Sequence, residues 1–544
     1  MPAFEERTYS EALSNLQVTD DMINKKLLKL KVNKSPGPDK IHPRVLHEVA
    51  DSILTPLRVI FNTSIRTMSL PQEWKHANVT AIYKKGQRTI PNNYRPVSLT
   101  CILCKVLESI IRDAVISHLK TNNLFSSKQF GFISQRSTVL QLLHVLDIWT
   151  EILDQGGSFE VIYCDFMKAF DKVPHKRLLY KVEKYGITGN ILGWINSFLS
   201  NRTQCVVIND HVTDNAPVTS GIPQGSVLGP LLFVIYINDL ADIVDDLTCV
   251  FLFADDTKAF RSIEDQIDSD TLQGDINKLL EWSAKWLLKF HPDKCVSMTF
   301  GPGQPNTYWM DDNKLKQSHC EKDLGIHIDD NLNFKKHITT IVNKATRIMA
   351  VVRKTFDYMD EEVFKLVFKG LVRPHLEYGA PIWSPHNKNL IEQIEKVQRR
   401  ATKTVPGLKD LSYEDRLRKL KLPTLIYRRI RGDMITVYKF FNPECGFDPT
   451  LPSFLPLHSE VTGRENSKGH KFKLYIDGTK KDVRKYSFSI RVRKVWNSLP
   501  AEVVEAKSIK SFEAALDKFW EDRDLLYNWE ALHIELLADS EFSR

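Results

Sequence analysis

Cysteine is sparse and scattered. Eight residues, Cys101, Cys104, Cys164, Cys205, Cys249, Cys295, Cys320 and Cys445, are spread over 544 positions. That distribution excludes the disulfide framework of a small secreted scaffold and points to a reducing compartment. Only Cys101 and Cys104 stand close together. No further ligand lies near them at zinc-site spacing, so they read as core residues. Long hydrophobic runs are also missing. The longest, Val227 to Ile237, contains Gly229 and Pro230 and is too short to span a bilayer. The first residues, Met1-Pro2-Ala3-Phe4-Glu5-Glu6-Arg7, lack the charged-then-apolar form of a signal peptide. These absences predict an intracellular protein, nuclear or cytoplasmic, with no membrane partner. Acidic residues are in the minority, 67 against 75 basic, and the net charge of +8 favours a polyanionic partner.

What is present begins with one stretch. Cys249-Val250-Phe251-Leu252-Phe253 is a short apolar run that stops at Ala254-Asp255-Asp256. Its length and its β-formers predict a buried strand. Two carboxylates at the end of such a strand are costly unless something binds them, and a divalent metal suits hard oxygen ligands. A plain turn is the other reading, since Asp is a common turn residue. A second run, Val161-Ile162-Tyr163-Cys164, also ends in an acid, Asp165. Two strands that each deliver an Asp to one end of a sheet make a two-metal site for in-line phosphoryl chemistry.

Three boxes carry a resemblance. Asp165-Phe166-Met167-Lys168-Ala169-Phe170-Asp171, then Ser220-Gly221-Ile222-Pro223-Gln224-Gly225-Ser226-Val227-Leu228-Gly229-Pro230, then Phe253-Ala254-Asp255-Asp256 stand in this order. They resemble the D-F-x-K-A-F-D, S-G-x-P-Q-G-S-x-L-G-P and Y/F-x-D-D boxes of reverse transcriptases from retrotransposons without long terminal repeats, LINE-type and jockey-like. Three boxes in order are specific where each alone is moderately so. The resemblance covers roughly Ser14 to Trp520. It implies an RNA-directed DNA polymerase that takes an RNA template, a DNA primer and dNTPs, with two Mg²⁺ ions or Mn²⁺ in their place. A catalytically inactive nucleic-acid-binding remnant is the alternative. Only about thirty residues precede the Pro-Gly-Pro loop and Cys445 is the last cysteine. The expectation is therefore a chain without the endonuclease domain and Cys-His knuckle of full elements.

The resemblance also implies roles. Asp165, Asp255 and Asp256 would hold the metals, with Asp256 peripheral, and Lys294 would protonate the pyrophosphate leaving group. Arg95 and Lys84 or Lys85 would bind the triphosphate, Phe170 would exclude a ribose 2′-hydroxyl, and Gln224 and Gly225 would meet the nucleotide and template base. Gln129-Phe130-Gly131-Phe132 with Arg136 resembles a Q-x-G-F box that touches template. Asp323-Leu324-Gly325-Ile326-His327-Ile328-Asp329 resembles the L-G-x-x-I-D primer-grip strand, with Leu324 and Gly325 at the nucleic acid. Asp171 reads as structural. The chain departs from the family at Cys164, where Leu is more common, and at His291, where Asn is frequent.

The alternation of strands and helices lacks a regular βαβ rhythm, which favours an α+β layer with helices on one face. By resemblance this is a right-hand polymerase with a ferredoxin-like antiparallel palm sheet. The expected divisions are an N-terminal extension of amphipathic helix over 1–30, fingers and palm over 31–332, a helical thumb over 333–405 and a basic, mainly helical C-terminal region over 406–544. Residues 44–68 read as one helix, and Pro-rich 452–456 as a linker. Lys396, Arg399 and Arg400 fall at helical spacing, so one face could follow a phosphate backbone, and Arg428, Arg429 and Arg431 add to it.

Overall fold

The computed structural model describes residues 1–209, 211–444, 446–464 and 469–531; Cys445 and the acidic end from 532 onward lie outside the described residues. Its architecture is mixed α and β. Five strands form the central sheet in the order Lys316–Gln317, Val296–Phe300, Ser158–Cys164, Asp256–Ile263 and Cys249–Phe253. Neighbours are antiparallel except the short outer pair, Lys316–Gln317 with Val296–Phe300.

Side chains alternate along each strand, and here both alternating sets meet apolar partners. Ile162, Cys164, Val250, Leu252 and Ala259 enter one core; Phe159, Val161, Phe251, Phe260, Met298 and Phe300 enter the other. The first core is covered by the helices His175–Lys184, Gly189–Leu199, Gly229–Ile237 and Gln266–Trp286. The second is covered by Thr138–Asp154, whose Trp149 ring lies over Phe159 and Phe300 at 5.2 and 5.0 Å. Helices therefore lie on both faces, not one. The strands read as nearly continuous apolar runs because neither face meets water. Glu160 is one of the few charged groups inside the sheet, and its carboxylate accepts from Thr299 Oγ1 at 2.9 Å, the Asn306 amide at 2.8 Å and Tyr308 Oη.

The longest apolar run becomes a core helix, Gly229–Ile237, started by Pro230 and buried from Leu231 to Ile237. Among the described residues no helix is long and apolar enough to cross a membrane. A second sheet carries the antiparallel pair His76–Tyr83 and Tyr94–Leu99 beside Arg202–Ile208.

Three local expectations change. Within 1–30 only Asp20–Leu27 is helical, capped by the Thr19 side chain. The preceding residues instead bridge Leu13 to Ile187 and lay Phe4, Tyr9 and Leu13 on the first core at irregular spacing. The helix read over 44–68 is two, Pro43–Glu48 and Ala50–Arg66, parted at Val49. Residues 452–456 are no free linker: Leu455 is buried and the Phe454 ring stands edge-on to His144 at 4.9 Å.

The helical second half does not hold a core of its own. The second apolar cluster runs from Phe130 and Trp149 through Ile338, Trp383 and Val437 to Leu525. Polar ties join the same surfaces. Arg484 Nη1 donates to Asp147 Oδ1 at 2.6 Å, and the Lys480 and Lys481 amides donate to Asp154 Oδ1 at 2.9 and 2.7 Å.

Two buried histidines sit in this shared core. Burial, with Lys128 and Arg136 nearby, lowers His144 to about 4. Burial, with His327 and Lys322 nearby, lowers His337 to about 4. On acidification the unfolded chain takes up these protons near 6.5, well before the folded chain does. The stability contribution is thus complete above about pH 6.5 and is lost as pH falls toward 4, on the order of 3 kcal/mol per histidine. We expect the urea midpoint of His144→Gln/His337→Gln to fall less between pH 7 and pH 4.5 than that of the parent; equal falls would show that the two rings carry no such load.

Candidate active site

The site is built at one end of the central sheet. Cys164 pairs with Thr257 and Phe253 with Asp256, so Asp165 emerges beside the turn that holds Asp255 and Asp256. Asp165 is fixed by backbone on its other side, where its carbonyl accepts from the His291 amide at 2.7 Å and the Met167 amide donates to Lys289 at 2.8 Å. This pairing brings up the 291–295 segment, and Lys294 Nζ donates to Asp165 Oδ2 at 2.6 Å. The Asp165 amide meets Cys295 Sγ at 3.5 Å.

The turn itself is strained. Ala254 is buried at φ +54°, a region that costs an L-residue roughly 1–2 kcal/mol. Beside it runs residues 128–131, added to the sheet edge: the Phe130 amide donates to Leu252 O at 2.8 Å and the Leu252 amide to Lys128 O at 2.9 Å. Gln129 Oε1 accepts from the Gly131 amide at 2.7 Å and the Ala254 amide at 3.0 Å. A Cβ on Gly131 would stand 2.3 Å from the Ala254 nitrogen. Gly131 thus admits a close approach of the chain's own backbone.

Gln129 is 0% exposed, and Arg136 is buried against Asp448, Nε to Oδ2 at 2.8 Å. Burial removes both from the direct contact with nucleic acid expected of them. The accessible member of that segment is Phe132, whose ring meets Phe170 edge-on at 6.2 Å.

The loop at 220–225 folds over the segment after Asp165. The Ile222 amide donates to Phe170 O at 2.7 Å, and Gln224 Nε2 to Asp171 Oδ1 at 3.0 Å. Asp171 is thus a partner of the loop. Gly225 sits at φ +112°, where a Cβ would meet Ser98 O at 2.5 Å. A cavity of about 310 Å³ opens here, with Pro96, Ser98, Asp171, Ser220 and Gln224 in its wall. The Phe170 ring is half-buried and stacks on Phe233 at 4.5 Å. Arg95 and Lys84 are exposed on the hairpin formed by His76–Tyr83 and Tyr94–Leu99.

The electrostatics join these parts. Burial raises Asp255 above the usual carboxylate range and Asp165 adds to the rise, while Arg95 and Lys84 pull it back. Asp256 keeps an exposed edge, yet crowding by protein atoms, and after it the Asp255 and Asp323 carboxylates, push it up to about 6. The three acids therefore feel one another. Among the described residues no three His, Cys, Asp or Glu side chains close on a single ion. The donor set is carboxylate oxygen throughout, which suits a hard cation. In phosphoryl-transfer sites such ions take one or two carboxylates and fill their shells with substrate oxygens and water, not with an all-protein cage.

One pair at the site had no counterpart in the sequence reading. Lys258 and Asp323, nearly inaccessible, form an ion pair under Asp256. A lysine in the apolar stretch Thr257-Lys258-Ala259-Phe260 was the available signal, because a buried cation needs a partner. Asp323 leads into a tight hairpin, Cys320–Asp323 with Ile326–Asp329, turning at Leu324 (φ +46°) and Gly325 (φ +95°). Leu324 O accepts from Tyr378 Oη at 2.9 Å.

The basic residues farther on divide. Lys396 and Arg400 are exposed, but Lys396 Nζ stands 3.2 Å from Glu392 Oε1. Arg399 lies between the Tyr413 and Trp529 rings, 5.3 Å from each. Arg428 is paired with Glu377, Arg431 with Asp517, and Arg429 is buried. Internal partners therefore take Arg399, Arg428 and Arg431, and burial takes Arg429, away from the phosphate-following surface read from the sequence. The helix Lys335–Thr355 instead exposes Lys336, Lys344, Arg347 and Lys354 along one face.

The Lys258–Asp323 pair generates a prediction. Asp323→Ala leaves a buried unpaired ammonium and should cost about 3–5 kcal/mol, whereas Lys258→Met/Asp323→Leu should lie near neutral. Urea unfolding of the three proteins decides this, and a double variant as unstable as the single one would mean the pair itself is needed.

With this geometry in view, the comparisons are direct. The model of the family described as reverse transcriptase (RNA-dependent DNA polymerase) matches residues 82–337. The chain is 27% identical over 436 residues to the RNA-directed DNA polymerase from mobile element jockey of Drosophila melanogaster, covering 77% of this chain and 47% of that one. It is 28% identical over 389 residues to the probable RNA-directed DNA polymerase from transposon X-element of the same organism, covering 69% and 42%. With the probable RNA-directed DNA polymerase from transposon BS, also of Drosophila melanogaster, it shares 26% identity over 400 residues, covering 69% and 43%. The chain spans less than half the length of each of these relatives. Residues 82–337 are thus similar to reverse transcriptase domains, and most of the chain is similar to the RNA-directed DNA polymerases of jockey-like mobile elements.

Proposed function

We propose that this chain copies an RNA template into DNA by adding dNTPs to a DNA primer. One observation carries the reading: Asp165 and the Asp255-Asp256 turn converge at one end of an antiparallel sheet, with Lys294 on one side and Arg95 and Lys84 within electrostatic reach. In the reaction a bond forms between the primer 3′-oxygen and the α-phosphorus, and the bond to pyrophosphate breaks. Such chemistry needs the reactants held in line and their charge neutralised.

Asp165 and Asp255 are the residues that would hold two Mg²⁺, or Mn²⁺, with Asp256 at the periphery. The ions would supply charge neutralisation at the phosphates and a lowered pKa at the 3′-hydroxyl. Arg95, with a planar fork that suits phosphate oxygens, and Lys84 would draw in the triphosphate. Lys294 would act as general acid to the leaving pyrophosphate. Phe170, braced by Phe233, would exclude a ribose 2′-hydroxyl, and Gln224, which borders the cavity, and Gly225 after it would meet base and template.

The order of the four longer strands, fourth-first-third-second by sequence, supports a ferredoxin-like palm. The hairpin that carries Arg95 would belong to the fingers within 31–332, and the helices of 333–405 to the thumb. The Leu324-Gly325 turn, anchored to the strand of Asp256 by the Lys258–Asp323 ion pair, would grip the primer strand. The described part of the C-terminal region, 406–531, would brace palm and thumb together, a reading that the shared core supports.

Two experiments test this. Asp255→Asn should abolish primer extension on an RNA template while primer–template binding stays within about twofold; parental rates in that variant would remove Asp255 from the chemistry. Duplex binding should weaken steeply with salt. Replacing Lys336, Lys344, Arg347 and Lys354 by Gln should reduce the log–log slope by roughly 3 to 4, and an unchanged slope would put the duplex on another surface.

A further inference from the structure

We propose that Gln129 is a positioning residue for nucleotide transfer: from inside the protein it holds the backbone of the Ala254-Asp255 turn and so sets where Asp255 stands. The inference rests on the polymerase reading above, and assigns the Q-x-G-F segment a task other than meeting template.

The argument starts from the turn. Cys249–Phe253 and Asp256–Ile263 are joined by two residues only, Ala254 and Asp255. A two-residue connection of this kind wants positive φ at its first position, which Gly or Asn supplies and Ala does not. Ala254 nevertheless sits at φ +54°. Something outside the turn must over-determine that conformation. Cys249–Phe253 is the last strand of its sheet, so its outer edge is open to a further strand. Residues 128–131 take that edge, in parallel, with Gln129 bridged to Leu252.

One oxygen then fixes both chains. A side-chain amide oxygen has two lone pairs. Gln129 Oε1 spends one on Gly131 N–H, at 2.7 Å, and one on Ala254 N–H, at 3.0 Å. Both partners are donors, which settles which end of the amide faces the turn. Gln129 is fully buried, and its Nε2 finds no partner among the described residues. The amide nitrogen is thus dispensable to the arrangement and the oxygen is not. Gly131 completes the fit, since any Cβ there would collide with the Ala254 nitrogen at 2.3 Å. Ala254 is in turn bonded to Asp255, so a shift of its peptide moves the carboxylate. Displacements of about 1 Å in a site built on alignment cost large factors in rate.

The test compares Gln129→Met, which keeps shape and loses the acceptor, with Gln129→Glu. Buried in this position, Glu takes up a proton and still presents a carbonyl oxygen to both amides. Three quantities are measured: the single-turnover rate at saturating dNTP, the Kd for primer–template, and hydrogen exchange of the Ala254 amide. Gln129→Met should lower the rate at least tenfold and speed Ala254 exchange at least tenfold, with Kd held within twofold and Ser158–Cys164 still protected. Gln129→Glu should return all three to within threefold of the parent. Should Gln129→Met not fold, Gln129→Asn, which keeps the amide and cannot reach, takes its place with the same expectations. Unchanged Ala254 exchange overturns the proposal. So does a tenfold weaker Kd with the saturated rate intact, which would make Gln129 a template contact. A parent protein that incorporates no nucleotide would count against the polymerase reading, and Ala254 exchange would still decide the hold on the turn.

Discussion

The arrangement depends on strand register. Ser158–Cys164 pairs with Asp256–Ile263 so that Cys164 faces Thr257, and the same antiparallel ladder extended by one step sets Asp165 beside Asp256. A slip of one residue would turn Ile162 and Val161 into each other's cores and carry Asp165 away from the turn. Register here is held by apolar packing on both faces, by Phe159 stacked on Phe300 at 4.6 Å on one side and by Val250, Leu252 and Ala259 on the other. Chemistry is thereby confined to the strand ends. A sheet with two buried faces has no open face on which a polar site could form, so the acids, the lysine and the turn collect where the strands stop.

The parts legible in the sequence are those governed by local pattern. Two apolar runs ending in acids announced two strands and their shared end, and both strands are present with the acids together. The stretch 333–405 read as helical does hold helices, Lys335–Thr355 and Lys388–Thr402 among them. What could not be read depends on partners distant in sequence. Gln129 and Arg136 look like accessible polar residues until Ala254 and Asp448 arrive beside them. Lys258 looks like a stray charge until Asp323 meets it. The coverage of both sheet faces was hidden for the same reason, since an apolar run gives no sign of how many layers lie over it.

Charge follows the same logic. The excess of Lys and Arg was read as a surface for a polyanion, but a large share of the C-terminal arginines serve internal contacts. Arg484 crosses to Asp147, Arg491 holds Asp433 and the Pro381 carbonyl, and Arg399 lies between two rings. A guanidinium with five donors can satisfy several acceptors where elements meet, which suits it to such joints. The cations that remain exposed along Lys335–Thr355 are fewer and better aligned than the composition alone suggested.

The core shared between the sheet and the C-terminal helices also has a consequence for how the chain comes into being. Arg136 and Asp448 are 312 positions apart, yet the pair closes over the segment that holds the Asp255 turn. Contacts of such span are formed late, because the intervening chain must exist and its loop entropy must be overcome first. During synthesis at 5–20 residues per second, the 136 segment leaves the ribosome roughly 15 to 60 s before its partner does. For that interval the helix Thr138–Asp154, which covers the aromatic face of the sheet, lacks the C-terminal helices that pack on its outer side, and the apolar surface left open is a target for chaperones and for other nascent copies.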